Sequence, residues 1–224
     1  MRRLFFKTMA ALLMLTLAAG MPKGDALRAT RLPFPAVERT EARHTSRTAQ
    51  RAAVKVNHYY GSRPAEDVYI TQTIKHTCTL VAATMMIRNY ACQRGTPYWH
   101  VTSSAVSRYC WTKKYGLSRS FSVGQVEVAC SPEIGKSRDK KQYLIDQLKK
   151  HREGVVIYDT GAPHAIWLFG YDEATDTFWC ADTIRSRGGH AIPLNDSIIR
   201  GATQQEKVDT IDKIWYVVEK EYAI

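Results

Sequence analysis

Apolar and polar positions divide the chain into a front without a core pattern and a body with one. Thr8–Ala19 reads TMAALLMLTLAA, an apolar run of twelve behind a basic start. Residues 27–65 are rich in Arg, Thr and Ala and broken by Pro33, Pro35 and Pro64, and the polar helix that Glu38–Lys55 could form has no apolar stripe. The pattern then changes. Leu80, Ala83, Ile87 and Tyr90 recur at helical spacing, which predicts a mostly buried helix starting at Cys78 with Thr77 as its N-cap. A second helix is expected over 102–110, a single strand over FSVGQVEVAC (121–130), and a polar helix ending at 146–153. Gly154–Tyr158, His164–Tyr171 and Phe178–Ala181 read as successive strands, the middle one apolar on both faces and therefore central. Ile214–Val218 reads as a closing strand. Helix first and antiparallel strands afterwards is an α+β order.

This arrangement places chemistry-bearing residues at particular ends of elements. A thiol in the first turn of a helix feels the positive end of the helix dipole and free N–H groups, which favour the thiolate. His164 opens one strand and Asp182 closes its antiparallel neighbour after the Asp172–Thr177 turn, so the hairpin brings the two side by side. Cys78 as nucleophile, His164 as general base and acid, and Asp182 as the carboxylate that orients the imidazole form a thiol-hydrolase set. Gln72, six residues before Cys78, is the candidate side-chain donor to an oxyanion, together with the Cys78 backbone N–H. His190, in a Gly-rich loop, is the competing base and Asp159 the reserve orienter. Tyr98, Trp99, Tyr109, Trp111, Tyr115 and Trp167 belong either to a cleft or to the core.

Charge and cysteine count change the picture in different ways. The 224 residues carry a formal net charge of +11, but residues 1–26 hold +3, residues 27–63 hold +6 and residues 64–224 only +2. The body therefore has no net basic excess for a nucleic-acid face, and a nucleic-acid partner is not expected. The basic front instead suits contact with an anionic surface. The apolar run is too short for a membrane span, which needs about 17–25 residues. With its basic lead it predicts a signal peptide over 1–26, cleaved after Gly20 or Ala26, and a secreted or periplasmic protein without a stable transmembrane anchor. Residues 27–65 then form a basic linker or pro-segment, and 66–224 the folded domain. The five cysteines are an odd number. There is no P-loop, dinucleotide fingerprint, His-Glu-x-x-His or close Cys pair, so no cofactor and no metal are expected.

The set resembles the papain-like cysteine peptidases. In that superfamily a Gln precedes by six residues a Cys that begins the central helix, and the later His and Asn or Asp sit on the sheet. Gln72, Cys78, His164 and Asp182 occupy those positions. The C39-like bacterial branch is the nearer resemblance, carried by HAIWLFGY at 164–171 and WCADT at 179–183. The context His76-Thr77-Cys78-Thr79 departs from papain itself, and Asp182 stands where papain has Asn. The resemblance covers about residues 66–218. It implies a papain-like fold and a secreted monomeric peptidase that cleaves peptide or protein substrates, or a cell-wall peptide, through a thioester acyl-enzyme. A wall amidase or endopeptidase, a transglutaminase-like acyl transferase and a non-catalytic binding module on the same fold are the alternatives. With Cys78 kept as a reactive thiol, export leaves Cys92, Cys110, Cys130 and Cys180 for two disulfides, Cys92–Cys110 and Cys130–Cys180 being the expected pairing.

Overall fold

The computed structural model describes residues 58–96, 100–184 and 190–219. These all lie in one compact unit, Ala53–Ile224. The expected signal peptide, most of the expected linker, and Tyr98 and Trp99 lie outside the described residues.

In chain order the strands are β1 (Tyr59–Gly61), β2 (Trp111–Thr112), β3 (Gly116–Leu117), β4 (Ser120–Val123), β5 (Val126–Ser131), β6 (Val155–Asp159), β7 (His164–Asp172), β8 (Thr177–Asp182), β9 (Ile192–Pro193) and β10 (Lys213–Val217). The α-helices are α1 (Cys78–Arg94), α2 (Ser103–Cys110), α3 (Lys140–Lys150) and α4 (Gln204–Thr210). The main sheet runs β4-β5-β10-β6-β7-β8-β9, with β1 added against β7 and every pairing antiparallel. β6 covers the first half of β7 and β1 the second, so the two lie end to end along one side of it. β2 and β3 form a separate small hairpin.

The α+β architecture expected from the element order is present. β7 is buried at every position but its last, the signature of a central strand. One core cluster joins α1 and α2 to one face through Met85, Ile87, Val156 and Trp167. The other joins α3 and α4 to the opposite face through Leu144, Leu148, Ile166 and Phe178. Helix α1, buried almost throughout, lies across the central strands β6, β7 and β10. It ends at Gly95, whose φ of 64° lets its N–H return to the carbonyls of Ala91 and Cys92.

Two local expectations differ. The stretch expected as one strand over 121–130 folds as the β4–β5 hairpin, because Gly124 adopts φ 59° and turns the chain. The β7–β8 hairpin also does not run flush. Tyr171 pairs with Phe178 and Gly170 with Trp179, but Leu168 pairs with Cys180, which leaves Phe169 as an extra residue. Its carbonyl accepts the Ser62 N–H at 3.0 Å.

The expected disulfides do not form: all five cysteines are free thiols. Register explains why Cys130 and Cys180 cannot meet. Cys130 lies opposite Trp215, Trp215 opposite Val156, Val156 opposite Trp167 and Trp167 opposite Ala181. Cys180 is thus four strands away, about 19 Å at ~4.8 Å per strand, and packs on the other face. Bridged cysteines need Cα atoms within about 7 Å. Cys92 is exposed at the end of α1, whereas the buried Cys110 thiol turns inward and donates to the Val106 carbonyl at 3.2 Å.

Candidate active site

Helix α1 delivers Cys78 to the site as its first residue. The turn before it is tight: His76 adopts φ 66°, the left-handed region that His tolerates better than most side chains. Thr77 stands at the N-cap position as expected, but its hydroxyl does not cap the helix. It donates back to the Ile74 carbonyl at 2.7 Å. The first intrahelical bond runs from Val81 N–H to the Thr77 carbonyl, so the N–H groups of Cys78, Thr79 and Leu80 have no intrahelical acceptor. Of these, the Thr79 N–H acts on the Cys78 thiol.

His164 is the first residue of β7 and Asp182 the last of β8. His164 Nε2 meets Asp182 Oδ1 at 2.9 Å, with His164 8% exposed and Asp182 fully buried. Asp182 Oδ2 also accepts the Ile198 N–H at 2.9 Å, and Oδ1 the Ile184 N–H at 3.2 Å. Three donors engage both oxygens of the carboxylate, which is how a buried charge is tolerated. The imidazole is also electrostatically coupled to the Cys78 thiol. Because Nε2 is committed to Asp182, Nδ1 is the nitrogen left for the sulfur.

The electrostatics follow from these contacts. Burial alone would push the Cys78 thiol up, but the His164 hydrogen bond and charge, with the N–H groups of Ala165 and Thr79, bring it below its ordinary value. Burial alone would lower His164. Its bonds to Asp182 and Cys78 and their negative charge instead raise it to about 9. Burial disfavours the Asp182 carboxylate, but His164 and the Ile198 and Ile184 N–H groups hold its pKa below the usual value. The directions agree: sulfur and carboxylate are held as anions on either side of a cationic imidazole.

Cys78 opens on a cleft of about 560 Å³ whose wall also includes His76, Pro163, Tyr158, Trp215 and Lys213. The β2–β3 hairpin and the residues after it supply Tyr115 and Arg119.

The remaining sequence candidates are placed as follows. Gln72 lies in the segment that leads into α1. Its N–H donates to the Thr183 carbonyl at 2.7 Å, its Oε1 accepts the Thr183 hydroxyl at 3.0 Å, and its Nε2 donates to the Ile74 carbonyl at 2.8 Å. Gln72 therefore braces the approach to α1 against the residue that follows Asp182. Asp159 faces His164 across the β6–β7 register, but its carboxylate accepts from Gly161 and Ala162 N–H and from Arg200. His190 is exposed and Trp167 is fully buried core. Tyr109 and Tyr115 are exposed, and Tyr115 lines the cleft.

Arg119, Lys213 and Tyr158 are site residues that sequence reasoning missed. A cation at the first position of a strand is the one weak signal Lys213 offers. Among the described residues no three His, Cys, Asp or Glu side chains are grouped to hold a metal, and no helix is long and apolar enough to cross a membrane.

What stands in the structure is a helix bearing Cys78 packed on a sheet that carries a buried His–Asp pair, which is consistent with a triad-like arrangement of side chains. Set against family models, curated proteins and solved structures, the chain finds no match in any of the three.

Proposed function

We propose that the protein is a cysteine-type peptidase with a papain-like arrangement, exported by a signal peptide over 1–26 and hydrolysing peptide bonds through a thioester. The observation that carries this reading is the buried His164–Asp182 hydrogen bond beside Cys78, whose thiol His164 helps to hold below its ordinary value.

In this mechanism the Cys78 thiolate attacks the scissile carbonyl carbon and forms a carbon–sulfur bond. The carbonyl oxygen takes the negative charge and lies against the Cys78 backbone N–H, whose place in the first turn leaves it without an intrahelical acceptor. Gln72 supplies a second donor, since only one of its two amide hydrogens is engaged at Ile74. Protonated His164 gives its Nδ1 proton to the leaving amine as the carbon–nitrogen bond breaks. The neutral imidazole then takes a proton from water, the resulting hydroxide attacks the thioester, and Cys78 leaves as thiolate while the carboxylic acid departs. Asp182 holds Nε2–H throughout and stabilises the imidazolium.

The test is trapping. A peptidyl chloromethyl ketone should alkylate wild-type protein at Cys78, located by peptide mass mapping, and His164→Ala should abolish the labelling at neutral pH. Equal labelling of both proteins would remove the imidazole from the chemistry and with it this reading.

A further inference from the structure

The cleft beside Cys78 is charged in one sense. Among the described residues two permanent cations, Arg119 and Lys213, line it, and no Asp or Glu does. This is a local concentration, since the body from residue 64 onward is nearly neutral.

Strand register places Lys213 relative to the reacting sulfur. Lys213 lies opposite Tyr158, and Tyr158 opposite Ala165, whose N–H acts on the Cys78 thiol. Residues directly opposite share a face, so Lys213 starts two strand spacings from Ala165, about 10 Å, on the same face. Its ammonium donates to the Thr160 hydroxyl at 3.2 Å, lies 5.5 Å from the Tyr158 ring centroid and makes no ion pair among the described residues. Arg119 is tied to the same wall by its backbone. Its carbonyl accepts the Cys130 N–H at 2.7 Å, and the neighbouring Ser118 carbonyl accepts Trp215 Nε1–H at 2.9 Å. Arg119 is exposed and makes no ion pair among the described residues. Burial raises the Cys130 thiol, Lys213 and Arg119 lower it and Asp212 raises it, so both cations act on one point of the wall against a single carboxylate. Asp212, next to Lys213 in sequence, does not line the cleft.

We infer that the cleft selects peptides carrying a carboxylate within about three residues of the scissile bond, received by Lys213 and Arg119. Three extended residues span the ~10 Å between Ala165 and Lys213. This specificity rests on the peptidase reading, and binding and turnover can be read apart.

The experiment uses the full chain and alanine-based hexapeptides carrying one Glu, Gln or Lys at successive positions. Binding to the Cys78→Ala protein is followed by fluorescence anisotropy, and turnover by wild-type protein by mass spectrometry. The best-placed Glu peptide is expected to bind about tenfold more tightly than its Gln counterpart, with the Lys peptide weakest, and 0.5 M salt should largely erase the difference. Lys213→Glu with Arg119→Glu should reverse the order, and the single Gln variants should each give an intermediate preference. The salt response of the unsubstituted wall needs no variant to fold. Equal binding of Glu and Gln peptides, including binding of neither, overturns the inference, as does a preference that survives both substitutions. Charge-selective binding without cleavage by wild-type protein upholds the inference and overturns the peptidase reading.

Discussion

The carboxylate of Asp182 meets His164 Nε2 at 2.9 Å although the Asp182 backbone lies opposite Ile166. The contact is a diagonal one, reaching two residues along the sheet to the end of β7. Both residues sit at strand ends, so the ladder fixes their backbones while leaving their side chains open to the Cys78 helix.

This relationship separates two roles of Asp182. Asp182→Ala leaves His164 Nε2–H and the Ile184 and Ile198 N–H groups without their acceptor in a buried site, which should cost about 3–5 kcal/mol and be read as a fall in thermal midpoint. Asp182→Asn keeps one acceptor oxygen but removes the charge. The His164 pKa should drop from about 9 toward its ordinary 6.5, followed by NMR of the imidazole C–H protons. An unchanged His164 titration in Asp182→Asn would show that the carboxylate charge is not what holds the proton.

Reactivity should titrate with the pair. The Cys78 thiol is held below its ordinary value, so the iodoacetamide alkylation rate should reach half its plateau below pH 9. Removing the imidazole in His164→Ala leaves burial as the larger influence and should move the midpoint upward. Identical profiles for the two proteins would mean that His164 does not poise the sulfur.

Stability should carry the same signature. His164 is raised in the folded state, so the stabilisation it gives as a cation is fully present below pH 6.5 and is lost as the pH rises through about 9. Asp182 is lowered, so its contribution is present above the ordinary carboxylate value of 3.8 and is lost as the pH falls through its folded value. These two groups together favour the interval between about pH 4 and 6.5. His164→Ala should flatten the alkaline side of a plot of thermal midpoint against pH, relative to wild type.

The thiols give a count. Denatured protein should react with five equivalents of a disulfide reagent, with or without prior reduction. In the native state Cys92, which is exposed, and the poised Cys78 should react first. The buried Cys110 and Cys180, whose thiols burial pushes up, should stay silent. Fewer than five thiols without reduction would restore a disulfide.

Two glycines are tightly placed around the extra residue of the β7–β8 hairpin. Gly154 has φ 90°, and a Cβ there would overlap the Leu168 carbonyl and the Trp167 indole nitrogen. Gly61 has φ 89°, and a Cβ there would overlap the Phe169 carbonyl. Gly154→Ala should destabilise by about 1–3 kcal/mol, measured by denaturant titration. A change below half of that would mean that the backbone relaxes there freely.

The helix start at Cys78 and the hairpin joining His164 to Asp182 were legible because each follows from a short-range pattern: an apolar stripe with a defined beginning, and two apolar runs around a polar turn. The cleft wall was not. Arg119 and Lys213 come together through the pairing of β5 with β10, a long-range order that local spacing does not encode. The disulfide expectation failed for the same reason, since cysteine parity says nothing about which face of a sheet each thiol occupies. Gln72 was legible by its spacing, but its bonds to Thr183 and Ile74 depend on where the end of β8 lies.

The extra residue at Phe169 acts as a phase offset. Side chains on a strand alternate, so a flush ladder continued from the Tyr171–Phe178 pair would set Asp182 opposite Trp167 and turn His164 to the other face. The added residue brings the imidazole and the carboxylate back into step. The hairpin is thus constrained by parity more than by length: deleting one residue between Ala165 and Tyr171 should part the pair, whereas a two-residue change should keep it. Alternation that elsewhere merely sorts apolar from polar here decides whether a proton-transfer pair exists.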